Sequence, residues 1–144
     1  MTKNNIKQLL SSSHYRYYFV AAAVATAIAG IVHLYMPLSH PRMLGNIPTA
    51  TFFLGSGIAQ LFWVIPMIRR WGRIWYYIGI AGTVVLVILY QVTRVPKPLT
   101  GGRPAPTNEI GIAIMVFQIA YIAITIIILV RERRMKISQR QQLR

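Results

Sequence analysis

The chain has no cysteine and almost no acid: of its 144 residues only 2 are Asp or Glu. The first absence removes disulfides, thiolate metal sites and thiol nucleophiles. The second removes the paired, buried carboxylates on which a proton relay or a carboxylate-based hydrolase depends. No phosphate-binding P-loop, dinucleotide fingerprint, HExxH or GxSxG occurs either. An inverted internal repeat, the usual mark of an alternating-access transporter, is missing as well. The polar segment Met1 to Ser13 lacks the short apolar stretch and small-residue cleavage site of a signal peptide and reads as mature sequence.

What is present is apolar and basic. Hydrophobic residues make up 55% of the chain, charged ones 12%, and the mean hydropathy is +0.48, which points to lipid as the main solvent. With 16 Lys and Arg the formal charge is +14. Those cations lie between and after long apolar runs, where they meet anionic lipid headgroups rather than nucleic acid.

A helix crosses a hydrocarbon core of about 30 Å with about 20 apolar residues. Four segments qualify: residues 17–36, 50–68, 74–93 and 110–130. Backbone groups in lipid must bond within their own segment or a closed barrel, and continuous runs of this length suit helices. The expected fold is therefore an all-α four-helix transmembrane bundle, a single membrane domain over residues 1–144 with tails 1–16 and 131–144. Pro37 is expected to end the first span, and Pro66, which frees the carbonyl of Phe62, to bend the second.

Twelve Lys and Arg fall in the two tails and in the turn Arg69 to Arg73, against four (Arg42, Arg94, Lys97 and Arg103) on the other side. The excess predicts both termini in the cytoplasm and a multi-pass protein of the plasma membrane. Tyr15, Tyr17, Tyr18, Trp63, Trp71, Trp75, Tyr76 and Tyr77 fall near the inner boundary; Tyr35, Phe52, Phe53 and Tyr90 fall near the outer one, as interfacial belts. The inner turn is so short that spans two and three are expected to pack as an antiparallel hairpin. Ala21, Ala25 and Ala29 are expected to form one smooth face of span one.

Polar groups inside a membrane ask for partners. Gln60 and Gln118 lie within spans two and four and can share a hydrogen-bond network. Gln91, Arg94 and Glu109 form a polar outer cluster, in which Glu109 suits the positive end of span four and Arg94 offers an ion pair. Glu132 reads as a solvated partner of Arg131, Arg133 and Arg134. His33, Met36, His40 and Met43 bring two imidazoles and two thioethers into eleven residues, a donor set suited to copper, especially Cu(I).

His33, Phe52-Phe53, Gly57, Gln60, Trp63, Tyr77, Gly79, Arg94 and Glu109-Ile-Gly111 together resemble a family of small four-span membrane proteins of bacteria and archaea, over Ile31 to about Ile128. The resemblance implies the architecture and an outer-face site, with no reaction attached. Members of that family carry acids where this chain has Ser39 and Gln118, so a metal or proton role resting on those acids does not carry over. In its basic, Ile-rich style the chain also resembles accessory subunits of archaeal membrane complexes such as a copper monooxygenase or a terminal oxidase. The expected function is accordingly an accessory or scaffold subunit, without catalytic activity of its own, packed against other membrane subunits. The alternatives are a small outer-face copper or ligand site, or a small-solute transporter or channel along Gln60 and Gln118.

Overall fold

A computed structural model describes residues 3–40, 44–92, 94 and 109–142. The described residues form four long helices: α1 (Lys3–Ser39), α2 (Ile47–Arg69), α3 (Arg73–Val92) and α4 (Glu109–Gln142). Each contains a stretch long and apolar enough to cross a membrane: Tyr15–Ser39, Ile47–Arg69, Arg73–Val92 and Glu109–Met135, with mean hydropathies of 2.0, 1.6, 1.7 and 2.7. The four expected spans lie in the four helices, but α1 begins about 14 residues before its span and α4 runs about 12 residues beyond its own, so that most of both expected tails is helical; the remaining ends differ by three residues or fewer.

The displacements have local causes. Pro37 does not end α1; the helix runs two residues further to Ser39, because a proline this near a C-terminus costs one backbone bond and no following turns. α2 begins earlier than its apolar run, since the Asn46 side chain caps it by accepting from the Thr49 N–H at 3.2 Å and Pro48 suits a first turn that has no backbone acceptor for its N–H groups. At the other end Arg70 adopts a left-handed conformation (φ 51°, ψ 52°), and its N–H and that of Trp71 both reach the Pro66 carbonyl. This closes the helix in the manner of an αL cap. Gly72, at φ +112°, then permits the reversal into α3.

Four neighbouring pairs make up the bundle, α1–α2, α1–α4, α3–α4 and, with the least contact, α2–α3. α1 therefore faces α3, and α2 faces α4, across the diagonals. α1 is the most closely packed of the four and buries Ala22, Ala25, Thr26, Ala29, Gly30, His33 and Met36, a stripe at three- and four-residue steps. Ala21, expected on this face, is exposed. At the α1–α2 crossing a Cβ added to Gly30 would sit 3.0 Å from the Gly57 carbonyl oxygen, and one added to Gly57 would sit 2.9 Å from the Gly30 oxygen. The backbones touch there, which in lipid supplies the packing that hydrophobic exclusion cannot.

The Arg-rich end is tied by side chains. Arg73 Nε donates to Glu132 Oε2 at 3.1 Å, Arg133 Nη2 donates to the Tyr77 hydroxyl at 2.6 Å, and the Arg70 and Arg131 guanidiniums lie 4.8 and 4.5 Å from the ring centres of Phe19 and Tyr18. Glu132 thus clasps α4 to the first residue of α3, in place of the expected pairing with its own neighbours Arg131, Arg133 and Arg134. Residues i and i±1 point to different sides of a helix, and the start of α3 is what lies opposite.

Candidate functional site

α2 and α3 are joined by the shortest connection in the chain, yet they are the loosest neighbours, in contrast to the close hairpin expected of them. An aromatic wedge accounts for the separation. Phe62, Trp71 and Trp75 pack around one another near the turn, with Trp71 and Trp75 ring centres 5.0 Å apart. Trp63 donates its Nε1–H to the Trp75 carbonyl at 3.1 Å, spanning from α2 to α3. Beyond it the Trp63 indole and the Tyr121 hydroxyl both close over Gly79, where a Cβ would collide with each.

On the far side of this wedge the two helices flank a half-open cavity of about 260 Å³. Gly55, Ser56, Ala59 and Gln60 of α2 form one wall, Gly79, Gly82 and Thr83 of α3 the other, and Thr26 of α1 lines its inner side. Two of the three hydroxyls are engaged with backbone: Thr26 Oγ1 donates to the Gln60 carbonyl at 3.0 Å and Thr83 Oγ1 to the Gly79 carbonyl at 2.8 Å. Gln60 is 4% exposed and its Oε1 has no hydrogen-bond partner among the described residues. A buried amide oxygen left in this state costs about 1–3 kcal/mol.

Gln118 is also buried, at 2% exposure, with its Nε2 unpartnered among the described residues. The two glutamines carry complementary unpaired atoms but belong to α2 and α4, which stand across a diagonal. The expected network is thus represented by two separate buried amides.

The outer-end residues are distributed as follows. His33 is 3% exposed and its Nδ1 lies 2.9 Å from the Ala29 carbonyl; a carbonyl only accepts, so Nδ1 carries the proton. Its ring lies 5.7 Å from that of Phe53 on α2. Met36 is buried, whereas His40 is exposed just past the helix end, with its Nδ1 3.2 Å from the Met36 carbonyl and 2.9 Å from Ser39 Oγ. Met43 lies outside the described residues. Among the described residues no three His, Asp or Glu side chains gather into a metal-holding group.

Gln91 Nε2 donates to Met115 Sδ at 3.8 Å, a weak tie between α3 and α4. Arg94 turns back on α3, its Nη1 3.0 Å from the Tyr90 carbonyl and its guanidinium 3.3 Å from the centre of the Tyr90 ring. Glu109 is exposed as the first residue of α4.

Thr26, Ser56, Trp63, Thr83 and Tyr121, which shape the cavity and its apex, were not candidates in the sequence. Their signal was weak, because Ser and Thr can hide in a span by bonding to the helix's own carbonyl. No family model, curated protein or solved structure matches the chain.

Proposed function

We propose that the protein is an accessory or scaffold subunit of a larger membrane assembly and performs no catalysis of its own. The observation that supports this reading is the exposure of α3. That helix buries only Tyr76, Gly79 and Thr83, and Ile74, Ile78, Val85 and Ile88 stand outward along one face. Helices associate in lipid through packing contacts, and a helix held to its own chain by one narrow stripe has most of its surface available to a neighbouring subunit. Copper monooxygenases and terminal oxidases, whose accessory subunits the sequence resembles in style, are the first assemblies to examine.

The reading includes an orientation. The Arg-rich end, with Arg69, Arg70, Arg73, Arg131, Arg133 and Arg134, faces the cytoplasm and the anionic headgroups of the plasma membrane. Because the chain is free of cysteine, single cysteines introduced as Ser138→Cys and Thr100→Cys report on this directly. In sealed cells an impermeant maleimide should label the second and spare the first, and the reverse pattern would invert the orientation.

The subunit reading is tested by purification from native membranes in mild detergent, with mass measurement of the particle and identification of what travels with it. A stoichiometric heteromer is expected. A lone monomer under conditions that keep other complexes of the same membrane intact removes the reading.

A further inference from the structure

The open side of the bundle points to a ligand as well as to a neighbour. We propose that the cavity between α2 and α3 binds a neutral lipophilic alcohol, an aliphatic or isoprenoid chain or a ring system carrying one hydroxyl, which enters from the bilayer and places that hydroxyl on the Gln60 side-chain amide.

Size comes first. An apolar protein cavity of about 150 Å³ accommodates benzene, and the cavity here measures about 260 Å³, enough for a larger ring or a folded segment of chain. Its position comes second. It opens between two helices that both qualify as membrane spans, so its occupant arrives through lipid and must itself be lipophilic. Charge comes third. Among the described residues no charged side chain lines it, and an ion moved there would lose its hydration with nothing to replace it.

The polar demand of the cavity is narrow and specific. Thr26 and Thr83 have already committed their hydroxyl protons to backbone carbonyls. Gln60 is the group left in need of a donor: it is 4% exposed, lines the cavity, and carries an amide oxygen with no partner among the described residues. An amide offers an acceptor and a donor side by side, and a hydroxyl is the smallest group that answers either one. The small side of the cavity is equally telling. Among the described residues, and apart from the adjoining backbone of the same helix, no atom lies within 4 Å of a Cβ built at Gly55 or at Gly82, so packing among those residues does not require these glycines. Their absent side chains leave the space that the ligand fills.

The test uses the full chain in phosphatidylcholine vesicles and two photoactivatable probes of equal length, a diazirine-bearing long-chain alcohol and the matching diazirine alkane. After irradiation, labelled positions are mapped by mass spectrometry. The alcohol should label the cavity-lining segments of α2 and α3 at least about threefold more than the alkane, as one hydrogen bond within a membrane protein allows. Unlabelled alcohol should compete this signal away where unlabelled alkane does not, a comparison that needs no variant. Gln60→Leu should reduce alcohol labelling to the alkane level. Gly82→Leu, and independently Gly55→Leu, should fill the cavity and remove labelling there while helicity and elution volume stay unchanged.

Equal labelling by the two probes would mean that ordinary lipid chains fill the opening, and would overturn the proposal. So would labelling that persists in both glycine-to-leucine variants, or cavity segments that stay unlabelled because a helix of a second copy or another subunit covers them.

Discussion

At the scale of single residues, the two glycines of α2 that lie two positions apart have opposite roles. A Cβ at Gly57 would come within 2.7 Å of the Leu34 side chain and 2.9 Å of the Gly30 carbonyl oxygen, whereas one at Gly55 meets nothing within 4 Å. Gly57→Ala should therefore force α1 and α2 apart and destabilise the protein by about 1–3 kcal/mol. Gly55→Ala should leave it unchanged or more stable by up to about 1 kcal/mol. Thermal unfolding of the two variants in the same detergent checks the difference, and equal losses would show that the Gly30–Gly57 crossing does not set the α1–α2 distance. Neither role is readable from sequence, where Gly55-Ser56-Gly57 is simply a small-residue patch. Which of its members faces α1 depends on the rotation of the helix, and an apolar span carries little information about rotation because lipid tolerates the same side chains as the interior.

At the scale of elements, the four helices were legible because about 20 consecutive apolar residues are hard to achieve by accident. Their ends were less so. Pro37 marked a stop that α1 overruns, and the Asn46 cap with Pro48 marked a start that a purely hydropathic reading places later at residue 50. The looseness of α2 against α3 was hidden altogether. A five-residue turn suggests intimacy, but the bulk of Phe62, Trp63, Trp71 and Trp75 beside the turn holds the helices apart. α3 consequently depends on α4 and on the wedge for its place. Its backbone amides between Gly79 and Val92 should exchange with deuterium before those of α1 between Ala22 and His33, measured on the purified protein, since local opening follows the number of buried contacts. Uniform protection of the two helices would contradict this order.

At the scale of the whole molecule, the bundle has two unlike ends and one unlike side. The Arg-rich end draws on α1, the α2–α3 turn, α3 and α4 through the contacts of Arg70, Arg73, Arg131 and Arg133. Glu132 is the acid among these arginines, and it is shared between helices rather than confined to its own. Glu132→Gln should lower stability by at most about 1 kcal/mol, because its pair with Arg73 is 22% and 30% exposed. The loss should shrink in high salt, as shown by unfolding midpoints at two ionic strengths; a loss that grows with salt would point to a packing effect. The cavity side was only half legible. Gln60 stood out as an intramembrane amide, but its pairing with Gln118 rested on depth along the chain, and the order of helices around the bundle, which separates them, is not encoded in any local pattern.

The wedge that holds α2 and α3 apart also contains all 3 tryptophans of the sequence, Trp63, Trp71 and Trp75. Every photon of indole emission from this protein therefore originates at the apex of the opening. The native chain is its own fluorescent gauge of that one joint, and bromine-bearing lipids or ligands that approach it can be followed by quenching without a single substitution.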